Sequence, residues 1–282
     1  TDKISKYIDE ASRLGIGLLP PSINQSLRGF SVVDDENSKS GTSIIYGLGA
    51  IKGVGGAAIE NILELQSEAK FQSIDDFASR VDNFRVNKKV IESLIYAGAM
   101  DCLGKSRLAM IQNMENILEV MKKITEIKKD AASSLFGEDE DMTSGMSVSF
   151  VDTDKEFPQG EILKFEQQTV GVYLSGHPLD DYKEEIEGID YTLSSAFSEI
   201  EGDSAEVLSV GRIEDLSTRM TKTGKKMGIL NVLDLHGSFE LAVFDNALKA
   251  IENLSPQERE RPYAFMIKIS KSAVGGAAYQ LS

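Results

Sequence analysis

A glycine-rich run in the first third of the chain has the residue types and spacing that phosphate binding requires. The run follows an apolar residue and leads into a helix predicted at about 57–66; its members are Lys52, Gly53, Val54, Gly55 and Gly56. Glycine tolerates positive φ and leaves the backbone amides exposed. Those amides and the N-terminus of the next helix can hold a phosphate oxygen, and Lys52 adds a positive charge. The pattern predicts a phosphate-binding loop, the glycine hairpin (residues 51–56).

The glycine hairpin resembles the helix-hairpin-helix motif, whose contacts to the phosphate backbone do not read base sequence. A glycine-rich loop that is packed for structural reasons alone is the alternative. A nucleotide-binding loop fits less well, because the Lys-Ser/Thr ending of such loops is missing. A DNA glycosylase also uses this hairpin, but no convincing catalytic aspartate follows it here. Duplex DNA is therefore the predicted ligand.

A degenerate second copy is predicted downstream, at residues 94–107, and its loop is called the second hairpin (residues 97–107). It leads into a long helix that begins near residue 106, and its candidate duplex-binding residues are Gly104, Lys105, Ser106 and Arg107. Two basic residues at a helix N-terminus oppose the helix dipole, so an anion site explains them better. An ordinary loop between helices is the alternative.

From about residue 205 the pattern changes to strands. They are predicted at 205–216, 227–235, 238–244 and 262–270, with a helix at 246–254 after the third. This order suits an OB-fold, a five-stranded barrel that binds single strands on its second and third strands and first hairpin. The loop between the first two strands, the basic turn (residues 219–226), supplies cations for a phosphate chain. The candidates are Arg219, Lys222, Lys225 and Lys226, with Phe239 facing a base or lying in the core.

A short apolar pair interrupts the polar stretch after the long helix. It belongs to the Leu-Phe peptide (residues 132–136), which consists of Ala132, Ser133, Ser134, Leu135 and Phe136. Without periodic apolar neighbours the pair has no core to enter, and it resembles a linear motif that fills a partner's pocket. One exposed apolar pair is also normal for a soluble protein, which is the alternative.

The net charge of −15 would argue against a nucleic-acid partner if it were spread evenly. Residues 137–204 carry 18 acidic and 3 basic side chains, however, and the flanking segments are close to neutral. The acidic segment is predicted to be a solvated linker, or alternatively a spacer that repels DNA. We expect four parts, at 1–40, 41–136, 137–204 and 205–282, the third an acidic linker with one helix and the last truncated at its C-terminal end.

Composition excludes several functional classes. No apolar run approaches the roughly 18–20 residues that cross a bilayer, so no membrane partner is expected, and no signal peptide is recognised. One cysteine, Cys102, excludes a disulfide framework and favours a cytoplasmic location. Two histidines and one cysteine argue against a His/Cys zinc site, and no metal or catalytic residue is predicted.

Taken in order, these segments resemble the C-family of bacterial replicative DNA polymerases, the DNA polymerase III alpha subunits. The string Val170-Gly171-Val172-Tyr173-Leu174-Ser175-Gly176-His177-Pro178-Leu179 is especially similar to that family, and the resemblance covers nearly the whole chain. It implies that residues 1–40 end the fingers domain. It also implies an α+β multidomain fragment, with a mostly α-helical tandem helix-hairpin-helix domain followed by an OB-fold β-barrel.

The resemblance gives the Leu-Phe peptide a partner. In this family a Gln-x-x-Leu/Met-Phe peptide at this place binds the beta sliding clamp, and here Ala132 replaces the glutamine. The missing amide removes a hydrogen bond worth roughly 0.5–1.5 kcal/mol net. The apolar pair that would fill the pocket remains.

The family's polymerase aspartates and PHP metal site lie in regions absent from this chain. The resemblance therefore implies a non-catalytic part of a DNA-directed DNA polymerase, a nucleotidyltransferase that uses Mg²⁺ in its other regions, with no cofactor here. The expected partners are double-stranded DNA, single-stranded DNA, the beta clamp and other polymerase III holoenzyme subunits. A protein–protein scaffold that has lost DNA affinity is the main alternative, and a hairpin-containing nuclease or glycosylase is another.

Overall fold

The computed structural model describes residues 7, 11, 14–133, 146–151, 155–200, 204–221, 224–235, 237–271 and 277–281. The protein is an α+β protein that divides into two compact units, Thr1–Gly176 and His177–Ser282. Each unit has its own apolar core. The part boundaries expected at residues 40, 136 and 204 stay predictions. No helix among the described residues has the length and apolarity needed to span a membrane.

A small sheet lies near the start of the first unit. It contains β1 (Gly17–Leu19), β2 (Ser31–Asp34) and β3 (Thr42–Ile45) in the order β1-β3-β2. The central strand β3 runs parallel to β1 and antiparallel to β2. Strands of three or four residues are too short to show a clear alternation in the sequence.

Among the described residues that follow the small sheet, six α-helices build the first unit. They are α1 (Gly56–Glu68), α2 (Ile74–Arg80), α3 (Lys88–Tyr96), α4 (Arg107–Gln112), α5 (Met114–Ser133) and α6 (Gln159–Thr169). The single long helix predicted from residue 106 is divided into two at Asn113. The side chain of Asn113 donates to the carbonyls of Ala109 and Val151 and accepts the Val151 amide. The segment 146–151 thus returns to the start of α5.

The core of the first unit lies between these helices and the small sheet. Its largest fully buried side chains include Tyr46, Phe71, Phe77, Leu48, Ile91 and Met100. The Tyr46 hydroxyl donates a hydrogen bond to the Val170 carbonyl at 2.7 Å, so residues that are 124 positions apart in the chain meet inside this core. The helix expected within the acidic linker, α6, therefore packs as part of this unit.

The second unit is built on five strands that close on themselves. They are β4 (Ser204–Met220), β5 (Lys226–Leu233), β6 (Ser238–Phe244), β7 (Pro262–Lys271) and β8 (Ala277–Leu281), paired in the order β4-β5-β6-β8-β7 with β7 returning to β4. The contact between β6 and β8 is parallel, and the other pairings are antiparallel. In the part of this unit that the structure describes, three short α-helices accompany the strands: α7 (Lys183–Glu187), α8 (Asp245–Glu252) and α9 (Pro256–Arg259).

Strand β4 closes the sheet because it pairs with two partners. Its first half, up to Arg212, lies beside β7, and its second half lies beside β5. The change falls at Gly211, where a Cβ atom would sit 2.5 Å from Val232 Cγ1, so the absence of a side chain permits the close approach. A register shift between Ile213 and Asp215 bends the strand at the same place.

Candidate nucleic-acid interface

The glycine hairpin lies between the 3-10 turn Leu48–Ala50 and helix α1. Ile51 and Val54 are buried, whereas Lys52, Gly53 and the two residues that follow Val54 are exposed. Gly53 has φ +92°, a conformation that side chains rarely adopt. The buried apolar pair therefore fixes the loop in the core while its lysine and glycines face solvent.

The N-terminus of α1 is open. Its N-cap, Gly55, has no side chain to cap the helix, and the first turn contains no acidic residue. The amides of Ala58 and Ile59 both donate to the Gly55 carbonyl at 3.1 Å. Within the part of the chain that the structure describes, the amides of Gly56 and Ala57 have no acceptor. Unsatisfied amides at the positive end of a helix dipole are suited to an anion.

Arg28 is a candidate that the sequence patterns missed. Its Nη2 lies 3.2 Å from the position of a Cβ on Gly56 and 3.1 Å from Glu60 Oε1. Its carbonyl accepts the Gly49 amide at 2.9 Å, which holds this loop beneath the glycine hairpin. Arg28 lies 24 residues before Lys52, and no local pattern links the two; their proximity comes from the fold.

The second hairpin connects α3 to α4. Gly98 and Gly104 have φ of +77° and +74°, as the sequence pattern would require of turn glycines. The Ser106 hydroxyl caps α4 by accepting the Ala109 amide at 3.1 Å, and it donates to the Lys155 carbonyl at 2.9 Å. The Lys105 ammonium lies 5.1 Å from the centroid of the Phe150 ring. These side chains thus contact the protein itself.

Arg107 corrects a sequence expectation. Its side chain is only 6% exposed, and its guanidinium is paired with Asp101 at 2.8 Å and with Glu166 at 3.1 Å. Burial alone would lower the pKa of Arg107, but the two carboxylates outweigh it and raise the pKa. The structure thus speaks against the prediction that this guanidinium grips DNA phosphate, because its nitrogens are paired with carboxylates inside the unit.

The start of α4 also carries an internal anion. The Glu156 carboxylate accepts the Arg107 amide at 2.8 Å and the Leu108 amide at 3.0 Å. An acidic side chain that accepts these amides satisfies donors that the helix itself leaves free. The two hairpins therefore differ: the glycine hairpin leads into an open helix terminus, and the second leads into a closed one.

In the second unit, the basic turn lies between β4 and β5. Arg219 and Lys225 are exposed, and the backbone amide of Thr221 donates to the Lys225 carbonyl at 2.8 Å, which tightens the turn. Lys226 pairs with Glu252 of α8. Lys222 lies outside the described residues. At least two cations of the predicted set are thus exposed in or beside the same turn.

Phe239 corrects a second expectation. The side chain is buried, and its ring makes an edge-to-face contact with Phe197 at 5.1 Å between centroids. It also belongs to the barrel core with Leu230 and Leu241. The prediction that Phe239 faces a base is wrong; the alternation of β6 places it on the inner face.

The Leu-Phe peptide falls almost wholly outside the described residues. The backbone of Ala132 and Ser133 forms the end of α5, and residues 134–136 are not described. Its proposed role therefore stays a prediction. His177, the histidine of the family-like string, has a structural place: its Nδ1 accepts the Leu179 amide at 3.1 Å in a turn. No three His, Cys, Asp or Glu side chains form a metal-binding group anywhere in the described ranges.

A family model described as a helix-hairpin-helix motif matches residues 15–110, a range that contains the glycine hairpin and the second hairpin. The chain is 43% identical over 275 residues, 98% of its length, to the DNA polymerase III subunit alpha of Campylobacter jejuni. It is 36% identical over 276 residues, 96% of its length, to that of Helicobacter pylori, and 30% identical over 260 residues, 92% of its length, to that of Escherichia coli K12.

The chain is therefore homologous to the bacterial DNA polymerase III alpha subunits over the segment that it spans, which confirms the resemblance. That segment is about a fifth of each relative, at 22% of its length.

Proposed function

We propose that this chain is a DNA-binding and clamp-binding part of a bacterial replicative DNA polymerase alpha subunit, without catalytic residues of its own. The observation that carries the proposal is the open terminus of α1, flanked by Lys52 and Arg28, within the range that matches the helix-hairpin-helix model. Nucleotidyl transfer and its Mg²⁺ would belong to the rest of a longer cytoplasmic enzyme. The residues described here offer no set of ligands for that metal.

The glycine hairpin would grip the phosphate backbone of duplex DNA. A phosphate oxygen would accept hydrogen bonds from the free amides of Gly56 and Ala57, while the exposed Lys52 ammonium supplies positive charge. The Arg28 guanidinium, which is already beside Gly56, would join this contact by exchanging Glu60 for phosphate. Such contacts position the duplex and do not depend on its sequence.

The second unit would be an OB-fold that receives the single-stranded template. Its strand order, with α8 between the third and fourth strands, supports this assignment. In that fold the loop between the first two strands lies beside the nucleic-acid groove. Arg219, Lys222, Lys225 and Lys226 would follow the phosphate chain, and Lys226 would have to release Glu252.

The Leu-Phe peptide would bind the beta sliding clamp, with Leu135 and Phe136 in its pocket. Tethering the polymerase to a ring on DNA makes re-engagement intramolecular and so raises processivity. Other polymerase III holoenzyme subunits would complete the set of partners.

Salt dependence of duplex binding tests the DNA-binding part. Three to five phosphate contacts predict a log–log slope of roughly −3 to −5 for the affinity of this chain for a blunt duplex. Fluorescence anisotropy at several salt concentrations measures it. A slope near zero would instead favour the protein–protein scaffold, and turnover of a lesion-containing duplex would favour a glycosylase.

Calorimetry with a purified bacterial beta clamp tests the clamp-binding part separately. We expect heat from the wild type and none from the variant Leu135→Ala/Phe136→Ala, since the pocket-filling side chains are removed. The variant Phe84→Ala, which removes an exposed aromatic residue elsewhere in the first unit, is the matched control. Equal heats from all three proteins would refute the assignment to residues 132–136.

A further inference from the structure

We propose that the buried Arg107–Glu166 pair is a positioning device for the glycine hairpin: it fixes helix α6, and α6 holds the Lys52 backbone in place. The inference rests on the proposed duplex binding by the glycine hairpin. In this proposal Arg107 affects DNA binding indirectly, through the position of the glycine hairpin, whereas the sequence pattern predicted a direct contact with phosphate.

The first step is the pair itself. Glu166 is fully buried; one carboxylate oxygen accepts Arg107 Nη1 at 3.1 Å, and the other accepts the amides of Leu174 and Ser175 at 2.8 and 3.0 Å. Arg107 in turn binds Asp101 through Nε and Nη2. A charge this deeply buried is stable only when it is fully paired. The pair therefore locks α6 and the chain after it to the second hairpin.

The second step leads from α6 to the glycine hairpin. Helix α6 ends one turn beyond Glu166, at Thr169, and the Thr169 carbonyl accepts the Lys52 amide at 2.8 Å. The next carbonyl, that of Val170, accepts the Tyr46 hydroxyl at 2.7 Å. The backbone of the residue that presents charge to phosphate is thus held by a carbonyl three residues from the buried carboxylate.

The third step is that the second hairpin is closed. Glu156 accepts the amides of Arg107 and Leu108, and the Ser106 hydroxyl is used by Ala109 and Lys155. Polar groups whose hydrogen bonds are already formed inside the protein gain little free energy from binding a phosphate. The closed second hairpin suits a structural contact within the protein, whereas the open N-terminus of α1 suits a contact with a ligand.

The variant Glu166→Gln tests the proposal by the sign of its effect. If Arg107 positions the glycine hairpin, loss of the carboxylate loosens α6. We then expect weaker duplex binding by roughly three- to tenfold and a salt slope smaller in magnitude by about 1, since Lys52 loses its phosphate. If Arg107 is instead a DNA contact that Glu166 restrains, the same variant frees the guanidinium and strengthens binding, which would overturn the proposal.

A local readout separates positioning from general stability. Amide hydrogen exchange of Lys52 is compared with that of Ile23, whose amide donates to the Ala99 carbonyl in the same unit. We expect Glu166→Gln to speed exchange at Lys52 and to leave Ile23 protected. Equal acceleration at both amides, or none at Lys52, would refute a specific positioning role. This readout needs no DNA, so it also holds if the chain proves not to bind duplex, an outcome that would reject the proposed function alone.

Two further proteins complete the experiment. Lys88→Gln/Glu115→Gln removes an exposed ion pair between α3 and α5 and is the matched control, for which wild-type exchange at Lys52 is expected. Arg107→Lys keeps the positive charge but loses the planar fork that reaches both carboxylates. If Glu166→Gln does not fold, Arg107→Lys carries the test: faster exchange at Lys52 with Ile23 unchanged supports the proposal, and unchanged exchange at both contradicts it.

Discussion

Gly53 of the glycine hairpin lies directly against Ser93 of α3: a Cβ atom on Gly53 would sit 2.5 Å from the Ser93 hydroxyl oxygen. Only 3.5 Å separates the same position from Ser93 Cβ, which is ordinary contact. The obstacle is therefore the hydroxyl, not the backbone of α3. Together with the positive φ of Gly53, this contact sets how closely the loop approaches the helix.

We predict that Gly53→Ala destabilises the first unit and that Ser93→Ala restores part of the loss. The positive φ costs about 1–2 kcal/mol with a side chain, and the clash adds about 1–3 kcal/mol. Removing the hydroxyl relieves only the second part, so the double variant should be more stable than Gly53→Ala. Urea unfolding monitored by circular dichroism measures this.

The matched control for that series is Gly41→Ala. Gly41 also has a positive φ, +73°, but nothing lies within 4 Å of its Cβ position. The free energy of unfolding of Gly41→Ala should fall only by the cost of a side chain at positive φ, about 1–2 kcal/mol. If Gly41→Ala and Gly53→Ala cost the same and Ser93→Ala gives no recovery, the close contact is not limiting.

We predict that Lys52→Ala weakens duplex binding equally for all sequences and reduces the magnitude of the salt slope by about 1. The physical reason is that one phosphate contact releases about one counterion. Lys70→Ala is the control, because Lys70 is exposed just beyond the opposite end of α1, roughly 20 Å away at 1.5 Å per residue. Identical slopes for the two variants would remove Lys52 from the interface.

In the second unit, we predict that Arg219→Ala/Lys225→Ala weakens binding of an oligo-thymidine strand by tenfold or more. Two cations leave an exposed turn, and each phosphate contact on single strands contributes about 0.7 to the slope. Lys268→Ala is the control, since Lys268 is exposed beside Glu206 near the other end of β4. Equal losses for both variants would indicate nonspecific attraction to the barrel.

We predict that the second unit loses stability as the pH falls from about 7 towards 5, because of His177. Burial lowers the pKa of this imidazole, opposed by Asp180 and the nearby Asp234. The unfolded chain then binds the proton at a higher pH than the folded one, so stability declines below about 6.5. Protonation also removes the Nδ1 lone pair that accepts the Leu179 amide.

Thermal melting of the wild type and of His177→Asn between pH 5 and 8 measures this effect. Asparagine supplies an acceptor for the Leu179 amide without titrating, so the variant should be flatter over this range. His236 is present in both proteins and cancels in the difference. Parallel curves for the two proteins would assign the acid sensitivity to another group.

Features that depend on near neighbours were predictable from the sequence. The glycine hairpin was found because positive φ and an open helix start need glycine at fixed spacings. Ser73 and Asn87 cap α2 and α3 because their short side chains accept an amide three residues on. The first four strands of the second unit lie within a few residues of their predicted bounds, since alternation over seven or more residues is a strong signal.

Features that depend on distant partners were not predictable. Arg107 looked like a phosphate ligand by its place at a helix start, but Glu166 and Glu156 lie 59 and 49 residues further on. Arg28 reaches the glycine hairpin through a loop that shares no pattern with it. Phe239 alternated correctly for a strand, yet only the closed sheet determines which face is inside.

The bonds from Lys52 to Thr169 and from Tyr46 to Val170 also set the order of events during synthesis. The second of them closes a gap of 124 residues, and the two bonds cannot form until residues 169 and 170, respectively, have been synthesised. Contacts of such long range form late in folding. The nascent glycine hairpin thus emerges before these two hydrogen bonds can form, and a chain limited to the matched range of 15–110 would lack them altogether. The segment recognised as a helix-hairpin-helix motif therefore does not include the two carbonyls, those of Thr169 and Val170, that hold the glycine hairpin in the folded unit.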